Sequence, residues 1–325
     1  MRRQIRTISV ALLLAAAAVP TQADEAVKVD AAIPAYEKTS GVAGALNSIG
    51  SDTMNNLMTL WAEGFAKYYP NVKIQVEGKG SSTAPPALIA GTAQLGPMSR
   101  PMKNTEIDAF EAQFGHKPTT LRSALDSLAV YVNKDNPLES LSLPQVDSIF
   151  SKTRALGHKE PIATWGQVGL TGAWASRPIS LYGRNSASGT YGFFKEHALG
   201  NGDYRDEVKE QPGSASVVQG VTEDVGGIGY SGIGYRTSGV KLLSLAPKEG
   251  AAAVAPAPAN VYNGSYPLAR FLYVYINKDP DKPLDPLLRE FVKFIFSKEG
   301  QEAVVKDGYL PVPASVARDE IKKAQ

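Results

Sequence analysis

The sequence predicts an α/β fold, and three observations carry the prediction. Runs with strand periodicity, such as Val72, Ile74 and Val76, alternate with longer runs of helical spacing. Three strand-like runs end in short Ser/Thr/Gly loops that lead straight into helix-like runs. These are Ile49-Gly50-Ser51-Asp52-Thr53-Met54, Gly80-Ser81-Ser82-Thr83-Ala84-Pro85 and Gly183-Arg184-Asn185-Ser186-Ala187-Ser188-Gly189-Thr190. The length that follows an N-terminal export signal, roughly 300 residues, is long for one core and predicts two lobes. The alternation predicts largely parallel sheets, with ligands beyond the carboxyl ends of the strands, where the three loops lie.

The elements follow in order. Arg2, Arg3 and Arg6 precede an apolar run from Ile8 to Val19, and Thr21-Gln22-Ala23 supplies a small residue at a cleavage position. The run is shorter than the ~20 residues of a spanning helix, so residues 1–23 read as a secretory signal peptide. The mature chain then starts near Asp24, and no Cys follows that could carry a lipid. Residues 24–47 show little periodicity and read as a loose lead-in. From Met54, the positions Leu57, Met58, Trp61, Phe65 and Tyr68 mark a helix with one buried face, ended at Pro70. Val72 to Val76 is a strand. Pro85 and Pro86 suit the first turn of a short helix, where a missing N–H costs little. Gln94 to Arg100 is a strand into a polar loop, Thr105 to Phe114 a surface helix, and Ser127 to Asn133 a strand turned by Lys134-Asp135-Asn136-Pro137. Ile179 to Tyr182 is the strand before the third loop, and Tyr191 to Leu199 the helix after it. Ala215 to Val221 reads as a helix, Gly227 to Tyr230 as a short strand, and Ala251 to Pro258 as an Ala/Pro surface loop. Phe271 to Asn277 is a strong strand. Leu284 to Val305 is helical, broken at Ser297-Lys298-Glu299-Gly300.

Composition excludes several classes. The chain has 34 Lys+Arg and 32 Asp+Glu; without the three signal Arg it has 31 against 32, a net charge of −1. No dense basic run is present, so nucleic acid is not an expected partner. There are no Cys residues, which removes disulfides and thiolate chemistry. His116, His158 and His197 stand apart from one another and from carboxylates at ligand spacing, so neither a metal nor a cofactor is expected. Gly227-Ile228-Gly229-Tyr230-Ser231-Gly232 matches the dinucleotide fingerprint, but the residues after it do not open a helix. No Ser lies in G-x-S-x-G.

A helix N-terminus carries unpaired N–H donors and positive partial charge, so it suits an anion. Any one of these loops alone is an ordinary N-cap. Three in one chain, one of them holding Arg184, point to a single oxyanion gripped from several sides, because a guanidinium matches oxyanion geometry.

At these loops the chain resembles the substrate-binding proteins of bacterial phosphate-specific ABC transporters. The resemblance rests on Thr53-Met54 ahead of a helix with Trp61, on Gly80-Ser81-Ser82, and on Arg184, Ser188, Gly189 and Thr190 spaced as Arg-x-x-x-Ser-Gly-Thr. It covers nearly the whole mature chain. It implies a type II periplasmic binding protein of two α/β lobes joined by two crossing segments, near Ala124–Ser127 and Leu268–Arg270. Residues 24–125 and 269–325 would form the first lobe, and 126–268 the second. It implies phosphate contacts from Thr53, Met54 (through its N–H), Ser81, Ser99, Arg184, Ser188, Gly189 and Thr190. Where many members carry an Asp that accepts the proton of hydrogen phosphate, this chain has Ser99, so Asp52 or Ser99 is expected to accept that proton. The expected protein is a periplasmic monomer that carries phosphate to a membrane permease without catalysis. The same fold binding sulfate, arsenate or molybdate, a secreted phosphatase using a loop Ser, and a surface adhesion or signalling role remain the alternatives here.

Overall fold

The computed structural model describes residues 27–325. The signal-peptide reading of residues 1–23 and the mature start near Asp24 lie outside the described residues. Strand β1 (Ala45–Gly50) and strand β2 (Lys73–Gly78) pair in parallel, with helix α1 (Asn55–Ala66) between them. The helical spacing seen in the sequence buries Leu57, Met58, Trp61 and Phe65 on one face of α1. Helix α2 (Ala84–Ile89), strand β3 (Gly96–Met98) and helix α3 (Asn104–Phe114) follow. β1 joins the β3 segment through a parallel bridge of Ser48 with Leu95 and through Ser51 N–H donating to Pro97 O at 2.8 Å.

The chain then enters β4 (Thr119–Asn133), a strand of 15 residues. Beyond it lie β5 (Ser140–Ser142), α4 (Leu143–Phe150), β6 (Ser180–Arg184), α5 (Gly189–Ala198), β7 (Lys209–Gln211), α6 (Ser214–Glu223) and β8 (Gly227–Gly232). After these come β9 (Val240–Leu242), β10 (Ser244–Ala246) and α7 (Pro258–Tyr262). The chain returns through β11 (Ala269–Ile276) to α8 (Pro286–Ile295), α9 (Lys298–Lys306) and α10 (Ala314–Lys323).

The main sheet runs β3-β11-β4-β8-β6-β7, with β9 also paired to β4. β4 changes partner midway: Ser127 is the last residue opposite β11, and Leu128 the first opposite β8. One strand therefore serves two packed halves. In the first, α1 lies against α8 and α9, and Tyr36, Phe65, Tyr68 and Phe294 form an edge-to-face aromatic cluster. In the second, Phe194 stacks on Tyr230 with ring centroids 3.9 Å apart, beside Phe150.

Several expectations change. The main sheet is mixed rather than largely parallel, because β4 pairs antiparallel with β11, β8 and β9, while β6 pairs in parallel with β7 and β8; the two-stranded sheets β1–β2 and β5–β10 are parallel. A strand that crosses between two halves meets a returning strand, and that geometry is antiparallel. The lead-in is partly built into the core, since Ile33 and Tyr36 are buried and Tyr36 Oη donates to Glu290 at 3.1 Å. β4 begins eight residues earlier than the alternation at Ser127 indicates, and its added start, residues 119–126, carries Thr, Arg, Ser and Asp that break up the apolar pattern. α4, α10 and the short strands β5, β7, β9 and β10 are too brief or too polar to show a period. The G-x-G-x-x-G run is β8, followed by a 3₁₀ turn at Ile233–Tyr235. Among the described residues no helix is long and apolar enough to cross a membrane.

The break at Ser297 is an N-cap: its hydroxyl accepts from Gly300 N–H at 3.2 Å. Gly300 O accepts from the Trp61 indole at 2.8 Å. A Cβ on Gly300 would strike the backbone carbonyls of Phe294 and Ile295. Gly300→Ala is expected to lower stability by about 3 kcal/mol, measured by urea denaturation; an unchanged midpoint would show that the α8–α9 joint can shift freely.

Candidate functional site

Each of the three loops forms a tight turn at a strand end. Asp52–Met54 is a 3₁₀ turn between β1 and α1, and Ser81–Thr83 another between β2 and α2. The third loop leaves β6 at Arg184 and enters α5, where the Ser188 hydroxyl accepts from Tyr191 N–H at 3.3 Å. An α-helix leaves its first N–H groups without intrahelical acceptors, here at Gly189 and Thr190.

The structure brings the loops together across the two halves. Thr53 Oγ1 lies 2.7 Å from Thr190 Oγ1. Ser99 Oγ lies 3.3 Å from Ser81 Oγ and 3.4 Å from Thr190 Oγ1. Ser99 N–H donates to Ser81 Oγ at 3.0 Å. All four residues are almost fully buried. Two glycines permit this approach. Gly80 has φ +111°, and a Cβ there would sit 2.5 Å from Ala187 O. A Cβ on Gly189 would fall on Ser81 Oγ and lie 2.7 Å from Ser99 Oγ. The Ser82 N–H donates to Ala187 O at 3.1 Å, which ties the second loop to the third.

Arg184 is 2% exposed and forms a second cluster at the same junction. Its Nη1 donates to Ser214 Oγ at 2.7 Å and lies 3.2 Å from Asp52 Oδ2. The same Asp52 oxygen accepts from Ser214 N–H at 2.8 Å. Burial pushes the guanidinium below its usual pKa, and the Asp52 carboxylate opposes that fall. Among the described residues Arg184 Nε, though buried, has no acceptor, and Ser51 Oγ in the first loop is likewise without a partner. Buried polar atoms without partners are rare in folded proteins and mark places where a further group is expected.

Of the residues singled out from sequence, Thr53, Ser81, Ser99, Gly189 and Thr190 meet in one cluster, and Arg184 and Asp52 in the adjoining one. Ser188 caps α5 beside them. Met54 is buried, and its N–H is engaged with Ser51 O at 3.2 Å within the 3₁₀ turn. Arg100, next to Ser99, is committed to Glu106 through two bonds of 2.7 Å.

Sequence reasoning missed Arg270, Asp126, Ser214, Tyr235 and Tyr309. Arg270 Nη2 donates to Thr190 Oγ1 at 3.0 Å, and Arg270 pairs with Asp126 at 2.7 Å. The signal was present: each is a lone charge inside an apolar run, Leu268-Ala269-Arg270-Phe271-Leu272 and Leu125-Asp126-Ser127-Leu128, and buried charges come paired. Ser214 opens α6 after Pro212-Gly213, a fourth helix start in the pattern of the other three. Tyr235 and Tyr309 hydroxyls donate to Asp52 O at 3.0 Å and Thr53 O at 2.9 Å, and no local pattern reveals these.

Residues 35–299 match the model of a PBP superfamily domain. The chain is 57% identical over 320 residues to the phosphate-binding protein PstS of Pseudomonas aeruginosa, covering 98% of this chain and 99% of that one. It is 31% identical over 283 residues to the phosphate-binding protein PstS of Staphylococcus haemolyticus, covering 86% and 84%. Among solved structures it is similar to one from Clostridium perfringens, assigned as a phosphate ABC transporter substrate-binding protein and holding bound phosphate. That pair has a TM-score of 0.70 and 25% identity, over 83% of this chain and 100% of that chain. An ABC-type phosphate transport receptor from Vibrio cholerae shares the fold, with a TM-score of 0.64, 23% identity and coverage of 82% and 100%.

One further group near the loops titrates unusually. Asp307, after α9, accepts a hydrogen bond from Asn56 and abuts Gly234 through its backbone. Burial pushes its carboxyl from 3.8 up to about 6; the Asn56 bond opposes the rise and the Asp126 charge adds to it. A raised folded pKa means that the folded state holds a proton the unfolded chain has lost. The stabilisation is therefore complete below about pH 4 and is lost as pH rises to about 6. The loss amounts to about 2–3 kcal/mol. Asp307→Asn should remove this slope and exceed the parent in stability at neutral pH. Urea midpoints across that window check it, and parallel curves for the two proteins would contradict it.

Proposed function

The chain belongs to the PBP superfamily and, within it, to the phosphate-binding proteins, and on that premise we propose that it encloses inorganic phosphate between two lobes and delivers it to an ABC importer. The observation that carries this reading is the convergence of helix-opening loops from both halves on a buried Arg184 whose Nε has no acceptor among the described residues. A tetrahedral oxyanion is the ligand such an array suits, because it offers acceptors on every side to N–H, O–H and guanidinium donors.

In this reading the first lobe, residues 24–125 and 269–325, presents Thr53, Ser81 and Ser99, and the Met54 N–H would have to exchange its bond to Ser51 O for the ligand. The second, residues 126–268, brings Arg184, Ser188 and the N–H groups of Gly189 and Thr190. The partner exchange in β4 between Ser127 and Leu128, beside the proposed crossing near Ala124–Ser127, supports the division. Contacts from both lobes exist together only when they meet, so ligand shifts the population toward closure. The closed form is what the permease would recognise. Binding and release involve no bond-making, so the protein acts as a carrier and not as an enzyme. Its working place is the periplasm, after removal of residues 1–23, and it works as a monomer because one pair of lobes makes a whole site.

Asp52 has two roles here. It holds Arg184 at 3.2 Å, and as an ionised carboxylate, able only to accept, it takes the proton of hydrogen phosphate, alone or with Ser99. Sulfate offers no such proton at neutral pH and leaves the carboxylate facing an oxygen.

Isothermal calorimetry on protein unfolded and refolded to remove ligand tests the reading. Phosphate is expected to bind and sulfate to be rejected; absence of phosphate binding would overturn it. Arg184→Ala should weaken phosphate binding by about 3–5 kcal/mol, since it strips one partner from a buried charge cluster. Asp52→Asn and Ser99→Ala separate the two candidates for the ligand proton: the one responsible should lose discrimination against sulfate. If both variants keep phosphate affinity and sulfate rejection, the proton-acceptor assignment fails.

A further inference from the structure

We infer that Arg270, held in place by Asp126, is a positioning residue that orients the Thr190 hydroxyl as a donor into the site and thereby favours the doubly charged form of phosphate. This inference rests on the phosphate reading above. Arg270 stands opposite Asp126 in the β11–β4 ladder, one residue from the point where β4 changes partner. Its side chain is 2% exposed and that of Asp126 0%. Arg270 Nε and Nη2 donate to Asp126 Oδ2 at 2.9 and 2.7 Å, and Nη1 donates to Ser99 O at 2.8 Å. The guanidinium also lies over the Phe193 ring, 5.2 Å from its centroid. Asp126 Oδ1 accepts from Ile233 N–H at 3.0 Å, so the carboxylate is anchored as firmly as the guanidinium it holds.

Arg270 makes a further donor bond, from Nη2 to Thr190 Oγ1 at 3.0 Å. A guanidinium can only donate. Thr190 must answer with a lone pair, and its single proton is turned away from Arg270. It can go to Thr53 Oγ1 at 2.7 Å, to Ser99 Oγ at 3.4 Å, or to a bound oxyanion. Ser81 is constrained in the same way, because its oxygen accepts from Ser99 N–H at 3.0 Å. Backbone and guanidinium donors thus each occupy a lone pair on one of two hydroxyls and leave the proton of each free to be donated to a ligand. Such a surface suits bare oxygens and repels an added ligand proton. Asp52, alone or with Ser99, can accept one ligand proton; at Thr190 a second would compete with the Arg270 bond for the hydroxyl's lone pairs and is disfavoured there.

Arg270 and Asp126 are removed together in the double variant Arg270→Met/Asp126→Asn, which avoids leaving a buried charge unpaired. Calorimetric phosphate titrations compare it with the wild type between about pH 5.5 and about pH 8.5, a window that spans the second ionisation of a phosphate group. The wild type should bind on the order of tenfold more tightly at the upper end, where the dianion prevails. In the double variant Thr190 is free to accept, so the slope should flatten, with affinity lost mainly at high pH. Arg270→Lys keeps a donor toward Thr190 and should restore part of the slope, which a purely structural role would not do. Thermal melts identify any variant that has not folded, and Arg270→Lys then carries the test as a partial flattening. A slope equal to that of the wild type in the folded variants overturns the inference and leaves the phosphate reading intact. A wild type that binds no phosphate at any pH overturns the phosphate reading itself, before any variant is compared.

Discussion

The structure depends on one constraint: the backbone of β4 is satisfied by two different neighbours. Up to Ser127 its hydrogen bonds go to β11, and from Leu128 they go to β8. The first part of the strand flanks β11, and the second lies between β8 and β9. A buried strand cannot leave its N–H and C=O groups unpaired, so the change of partner must occur within a single residue step. That step sets where the two halves join and aims the loop-bearing ends of β1, β2 and β6 at one another.

The polar junction follows from the join. Asp126 and Arg270 sit opposite each other next to the partner exchange, and both are buried. A buried ion pair is weak evidence for stability, since desolvation offsets much of its attraction. Its value here is geometric: a guanidinium fixed by a carboxylate directs Nη1 at the Ser99 carbonyl and Nη2 at Thr190. Gly80 and Gly189 serve the same end by a different route, since the absence of a Cβ at each lets the loops of one half touch those of the other. The aromatic hydroxyls of Tyr235 and Tyr309 converge on the carbonyls of Asp52 and Thr53, so the first loop is held by both halves at once.

Much of this was legible in the chain. The helical face of α1, the Pro-led start of α2, the Ser297 cap between α8 and α9 and the strand into each loop are local patterns, and the structure has them within a few residues. β4 was half legible: its first part, residues 119–126, mixes polar and apolar residues without a clear period. The antiparallel core of the main sheet was not legible, because strand direction is a property of pairs and neither strand's residues record it. In the candidate site, Thr53, Ser81 and Thr190 stood out because each begins a helix. Arg270 did not, because it opens a strand rather than a helix and its significance comes from what faces it.

The sequence by itself determined the class of the fold, the sites of its helix-opening loops and the exclusion of cysteine chemistry, because each of these is written in spacing and residue type over a few positions. The likeness of the whole chain to phosphate-binding proteins is likewise a property of the sequence. Only the tertiary structure decided that Thr53 meets Thr190, that Asp52 holds Arg184 and that Arg270 reaches from its own half to the other. These contacts join residues far apart in the chain, and their distances follow from strand register and from the partner exchange in β4. Register is settled by burial summed over whole sheets, and no short stretch of sequence contains that sum.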